Sequence, residues 1–229
     1  MRGGLVVSAL GLGMLSLAAP VFAQAKVEVG LNVGYTASEG VSTDQVRLGQ
    51  TYNTLTPVSG ASFDFTFGVF LTEHAEAEFL WARQSSRLDA EGAGPALQIS
   101  ELTLYNYMGN FIYNWGEHDS KARPYFMVGA GATQYSFGSL IEQAPPGTAT
   151  PKTSGISGDT RFATNIGAGL KYFFSPHVGA NVGFRYTPTY ITSTQAGVWC
   201  DPWYGCWPIA NAHYANQFDT SFGVTVRFD

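Results

Sequence analysis

The sequence predicts an all-β fold, an eight-stranded antiparallel transmembrane β-barrel. Three observations predict it. Period-two alternation recurs in segment after segment, with one apolar, aromatic side and one side of Gly, Asn, Ser and Thr. The connections between these segments alternate between long and short. No stretch after the N-terminal one approaches the roughly twenty apolar residues that a spanning helix needs.

The chain has 229 residues, a net charge of −5 and 13% charged residues. Arg2 precedes an uncharged apolar run over about 5–19, and Val21-Phe22-Ala23 forms an A-x-A-like cleavage site. Residues 1–23 therefore read as a signal peptide and 24–229 as one barrel domain, the alternative being a retained N-terminal anchor.

The strands follow in order. The first, about 26–36, sets Val27, Val29, Leu31, Val33 and Tyr35 against Glu28, Gly30, Asn32 and Gly34. The second, about 61–72, sets Phe63, Phe65, Phe67, Val69 and Leu71 against Asp64, Thr66 and Gly68, and a Thr72-Glu73-His74 turn follows. In the third, about 75–86, Ala77, Phe79 and Trp81 oppose Glu76, Glu78, Leu80 and Ala82. The fourth, about 99–115, places Tyr105, Tyr107, Phe111, Tyr113 and Trp115 opposite Asn106, Met108, Asn110 and Asn114.

The fifth, about 124–137, carries Gly129 and Gly131 opposite Phe126, Val128, Ala130 and Ala132. The sixth, about 161–174, sets Phe162, Ile166, Ala168, Leu170, Tyr172 and Phe174 against Asn165, Gly167, Gly169 and Lys171. Ser175-Pro176-His177 turns into the seventh, about 178–191, where Val178, Ala180, Val182, Phe184 and Tyr186 oppose Asn181, Gly183 and Arg185. The last, 218–228, sets Phe218, Thr220, Phe222, Val224, Val226 and Phe228 against Asp219, Ser221, Gly223, Thr225 and Arg227.

Each segment is long enough to cross a bilayer as a tilted strand, which takes about nine to eleven residues. The long connections, about 37–60, 87–98, 138–160 and 192–213, are expected outside the cell and the short ones in the periplasm. The connection 138–160, with Pro145, Pro146 and Pro151, reads as solvated. A soluble lipocalin-like barrel or sandwich is the alternative, but its outward face should carry many Lys and Glu, and this polar face does not. No internal repeat suggests a propeller or solenoid.

The residues resemble the OmpA-like/opacity-type outer-membrane β-barrel family. Pro124-Tyr125-Phe126-Met127-Val128-Gly129-Ala130-Gly131 is similar to that family's P-Y-x-x-x-G-x-G strand. Residues 165–177 are similar to its next strand and turn, and Phe184-Arg185-Tyr186 to its seventh strand. The resemblance implies a barrel in the cell outer membrane of a Gram-negative bacterium, with no peptidoglycan-binding domain after it. It also implies that Phe222, Val224, Val226 and Phe228 form the signal read by the barrel-assembly machinery, although Asp229 follows where the family ends on the aromatic residue. Members act as structural anchors, adhesins or shielding proteins.

The lumen-facing charges are Glu28, Asp64, Glu76, Glu78, Lys171, Arg185, Asp219 and Arg227. Glu28 is expected to meet Arg227, and Arg185 to meet Asp219, while Glu76 and Glu78 need Lys171, Arg185 or water. An eight-stranded barrel is just wide enough for its own side chains, so this reads as a structural network. A proton or ion path lined by Asn106, Asn110, Asn114, Asn165 and Asn181 is the competing reading.

Cys200 and Cys206 are expected to form a local disulfide in an oxidising compartment, against free thiols or a metal site. Trp199, Trp203, Tyr204 and Trp207 around them form either a contact surface or part of an aromatic girdle. Ala212-His213-Tyr214-Ala215-Asn216 faintly resembles a lipid A deacylase motif, but Ala215 stands where the nucleophilic Ser is needed. No enzyme, cofactor or metal site is expected, and without a basic run no nucleic-acid partner either. The expected partners are membrane lipid, lipopolysaccharide and an extracellular protein or surface ligand, met by a monomer.

Overall fold

The computed structural model describes residues 26–47, 50–117, 119–140, 159–190, 198–201, 205–208 and 214–228. The expected signal peptide lies outside them. Eight strands close the barrel: β1 (Val27–Ser38), β4 (Gly60–Phe70), β5 (Ala75–Gly92), β6 (Leu97–Asn114), β7 (Ala122–Leu140), β8 (Asp159–Phe173), β9 (Val178–Tyr190) and β12 (Tyr214–Phe228). Each pairs antiparallel with its chain neighbour in the ring, and β1 closes the barrel against β12 from Val27↔Phe228 to Ser38↔Gln217. Closure leaves none of the eight ring strands at a sheet edge, the condition for crossing lipid with strands.

Alternation sets which side faces which solvent. Leu31, Val33, Phe63, Phe67, Phe79, Phe111, Ile166, Val182 and Phe222 point outward and are exposed, whereas Glu28, Asp64, Glu76, Asn110, Asn165 and Asp219 are buried inside. Aromatic girdles bound the apolar band. Along β6, Tyr113 and the following Trp115 stand at one end, with Tyr107 and Tyr105 at the other. Ten residues, at about 3.3 Å each and a tilt of about 40°, span roughly 25 Å, the height of the lipid-facing band in such barrels.

The short connections close as tight turns. At 71–74, Thr72 Oγ1 accepts from the Ala75 amide at 2.9 Å. Between β6 and β7, Gly116 takes φ 94°, a left-handed conformation that suits a residue without Cβ. In the β8–β9 ladder, pairing runs Ala163↔Thr189 and resumes at Ile166↔Tyr186, past Pro188, which has no N–H to give.

Three of the long connections depart from the expected loops. Residues 37–60 contain a hairpin, β2 (Val41–Arg47) and β3 (Gln50–Pro57), and β3 pairs with the outer end of β5. Residues 87–98 are mostly strand, because β5 and β6 stay paired to Ala90↔Leu97. Residues 192–213 contain a small hairpin, β10 (Val198–Asp201) and β11 (Gly205–Pro208). Through β3 the hairpin extends the wall beside the outer end of β5. There Val41, Tyr52, Leu55, Leu88, Ala90, Ile99 and Ala215 form a buried apolar cluster. In water a long hairpin needs such a core, and the barrel mouth supplies the other half of it. Most of the expected solvated connection, 141–158, lies outside the described residues.

Candidate functional site

Inside the barrel, polar side chains from opposite walls meet in layers. In the lowest layer the Glu28 carboxylate turns across the lumen. It accepts from Arg123 Nη1 at 3.0 Å and from Lys171 Nζ at 2.5 Å. Lys171 also holds Glu76 at 2.9 Å, and Asn114 donates to the same Glu76 oxygen at 3.0 Å. Strands β1, β5, β6, β7 and β8 are thereby tied across the interior. Register still sets Glu28 beside Arg227, as expected from closure. Arg227 donates to the Pro176 carbonyl at 2.8 Å and lies over the Phe173 ring, 4.2 Å from its centroid. Arg123 covers Phe70 in the same way at 4.9 Å. Each cation on its ring makes a lid near the periplasmic mouth.

The next layer holds Arg185 between two carboxylates, Asp219 at 3.1 Å and Asp64 at 3.8 Å. Thr36 and Ser62 donate to the other Asp219 oxygen at 2.7 and 2.8 Å, and Asn32 donates to Asp64. Glu78 accepts from Asn110 at 2.8 Å, whose own carbonyl accepts from Asn165 at 2.9 Å. Tyr125 fills the centre because Gly169 and Gly183 face it; a Cβ on Gly183 would stand 2.6 Å from its hydroxyl. Between these groups lies a polar cavity of about 40 Å³, lined by Glu78, Tyr125, Lys171, Asn181 and Arg185 among others. It has room for a few waters, each needing at least about 10–15 Å³.

Higher up, Asn106 donates to Gln217 at 2.9 Å and accepts from Thr133 at 2.7 Å. The apolar cluster beneath the β2–β3 hairpin covers this layer. Of the Asn residues expected to line a wet path, Asn106, Asn110, Asn114, Asn165 and Asn181 all make cross-strand hydrogen bonds. Burying these charges is tolerable because they are paired and hydrogen-bonded. These ion pairs hold the walls together across the lumen.

Arg123 is the residue the sequence reading missed, and it is completely buried. Beginning that strand at Pro124 excluded it, yet it continues the inward parity of Tyr125, Met127 and Gly129. Phe70 and Phe173, the rings beneath the cations, were missed for the same reason: they lie at strand ends.

On β12, Phe222, Val224 and Phe228 face outward and are exposed, with Val226 on the same side. Cys200 and Cys206 are directly opposite each other between β10 and β11, as are Trp199 and Trp207. Trp203, Tyr204 and His213 lie outside the described residues. Among the described residues no group of three or more His, Cys, Asp or Glu is arranged to hold a metal.

Comparison with known proteins agrees with this architecture. The outer membrane protein OprG of Pseudomonas aeruginosa superposes with a TM-score of 0.59 at 13% identity, over 89% of this chain and 96% of that one. Outer membrane protein AlkL gives 0.53 at 15%, over 90% and 91%. Neisserial surface protein A gives 0.51 at 16%, over 89% and 97%. At such identities the likeness establishes the fold. No curated protein matches the sequence. The family profile described as "Outer membrane protein beta-barrel domain" matches residues 7–228. With lipid-facing walls, girdles about 25 Å apart and a closed ring of strands, the chain belongs to the outer membrane protein β-barrel domain family and resides in the outer membrane.

Proposed function

We propose that this protein is a closed barrel with a structural or surface-interaction role, meeting its partners through the extracellular part rather than passing solutes through the lumen. One observation carries the reading: Arg123, Lys171 and Arg185 each bridge to carboxylates from other walls, beneath an apolar cap and above aromatic lids. Export by residues 1–23, assembly through the terminal strand, a disulfide between Cys200 and Cys206, and contacts through the Trp-rich hairpin belong to the same reading. The protein works as a monomer without cofactor or catalytic step, in contact with lipid and lipopolysaccharide.

The second reading is a narrow channel for small solutes or ions. The polar cavity beside Glu78 is the observation that favours it, since a carboxylate bordering internal space is where a cation would pause. Liposome swelling separates the two. Vesicles carrying the folded barrel are diluted into isotonic arabinose, glycine or potassium salts. The closed reading expects swelling no faster than in empty vesicles. Swelling that rises with barrel content would replace it with the channel.

A further inference from the structure

We propose that the outer wall of β9 and β12, just above the lipid band, is a saccharide-contact ledge for the head-group sugars of neighbouring outer-leaflet glycolipid. The proposal rests on the outside-face reading above and names a ligand class and a site for it.

On β12, Phe228 marks the periplasmic girdle and Phe218 stands ten residues higher, roughly 25 Å up the tilted strand. Phe218 stacks on its cross-strand neighbour Tyr186 with centroids 4.9 Å apart, so this pair is the outer girdle. Tyr214 lies four residues beyond Phe218, roughly 10 Å further out, and pairs with Tyr190. These two rings approach to 5.6 Å yet stay 55% and 41% exposed. Strand β5 turns polar at this height: above Trp81 its outward residues are Arg83, Ser85 and Arg87. Membrane depth therefore explains Tyr186 and Phe218 and does not explain Tyr190 and Tyr214.

Between the girdle and the tyrosine pair stand Asn216 and Pro188, opposite each other. Tyr186 donates to the Asn216 carbonyl at 2.9 Å, and the Asn216 amide donates to a Glu39 oxygen at 2.7 Å. The chain Tyr186–Asn216–Glu39 holds an amide and a carboxylate in place, both with donor or acceptor capacity left for hydroxyl groups. Exposed rings beside an oriented amide and carboxylate match a sugar, which presents C–H faces to stack and hydroxyls to bond.

Direction decides the occupant. The ledge faces sideways from the barrel wall, continuous with the lipid-facing surface below it. What lies against that wall just outside the lipid band is the sugar layer of the same leaflet. A soluble partner arriving from outside would meet the hairpins first.

The test uses the folded mature barrel in detergent, with native mass spectrometry and titration against three probes. These are lipopolysaccharide with its complete core oligosaccharide, lipid A without core sugars, and free core oligosaccharide. The expected result is a preference of about tenfold for the core-bearing form over lipid A, with displacement by free oligosaccharide. Tyr190→Ser with Tyr214→Ser should bring the preference below about twofold, and Asn216→Ala should reduce it partway. Heat-modifiable gel mobility verifies that the variants are folded. Equal binding of both glycolipids by the native barrel, or a preference that survives the double substitution, would overturn the proposal. Swelling assays read the lumen separately, so the ledge and the closed lumen fail independently.

Discussion

Lys171→Met tests the interior most sharply. The Nζ of Lys171 lies 2.5 Å from Glu28 and 2.9 Å from Glu76, with all three side chains at least nine-tenths buried. Removing one partner of a buried ion pair strands the other and costs about 3–5 kcal/mol. The two carboxylates are not stranded equally. Glu28 keeps Arg123 at 3.0 Å, while Glu76 is left with the Asn114 amide at 3.0 Å. A second substitution should therefore rescue unequally. In the Lys171→Met background, Glu76→Gln should recover about half of the loss and Glu28→Gln little or none. The assay is urea unfolding of the barrel in phospholipid vesicles, followed by tryptophan fluorescence and extrapolated linearly to zero denaturant. A loss below about 1 kcal/mol for Lys171→Met would refute the account of a desolvated bridge. Equal rescue by Glu28→Gln would refute the assignment of Glu76 as the dependent partner.

Other outcomes follow from particular contacts. Gly129→Val places a side chain onto the carbonyl oxygens of Asn110 and Asn165, and should destabilise the barrel by about 1–3 kcal/mol or prevent folding, as read by the same titration. Replacing the β2–β3 hairpin by a short Gly-Ser link uncovers Leu88, Ala90 and Ile99. Limited proteolysis from outside should then cut the outer ends of β5 and β6, which stay intact in the native protein. Cys200 and Cys206 of protein isolated without reductant should resist alkylation until reduced, because their backbones are directly opposite in the β10–β11 ladder.

The membrane-spanning part was legible because a wall between lipid and a packed lumen enforces strict alternation. All eight ring strands follow from that pattern, and inward residues escape it only near strand ends, as at Phe70, Arg123 and Phe173. Above the lipid band the same logic ends. Leu88, Asp89 and Ala90 are all buried in succession, and the β5–β6 register shifts between Leu88 and Asp89. A bulge of this kind reverses the parity, so the segment reads as a loop although it is strand. The interior pairs divide similarly. Arg185 and Asp219 are cross-strand neighbours in β9 and β12, so their meeting follows from strand order. Glu28 with Arg123 bridges strands that share no ladder, and depends on barrel stagger that no local pattern records. Arg123 itself was hidden by the proline after it, which reads as a boundary but here lies just inside the strand.

Single-channel recording tests the closed lumen most directly. The barrel, verified as folded, is inserted in planar lipid bilayers and recorded at several potassium chloride concentrations. A closed lumen leaves the membrane silent at every concentration, in the native protein and in Glu78→Gln alike. Reproducible cation-selective openings that change on Glu78→Gln would contradict it and make the cavity beside Glu78 part of a conduction path.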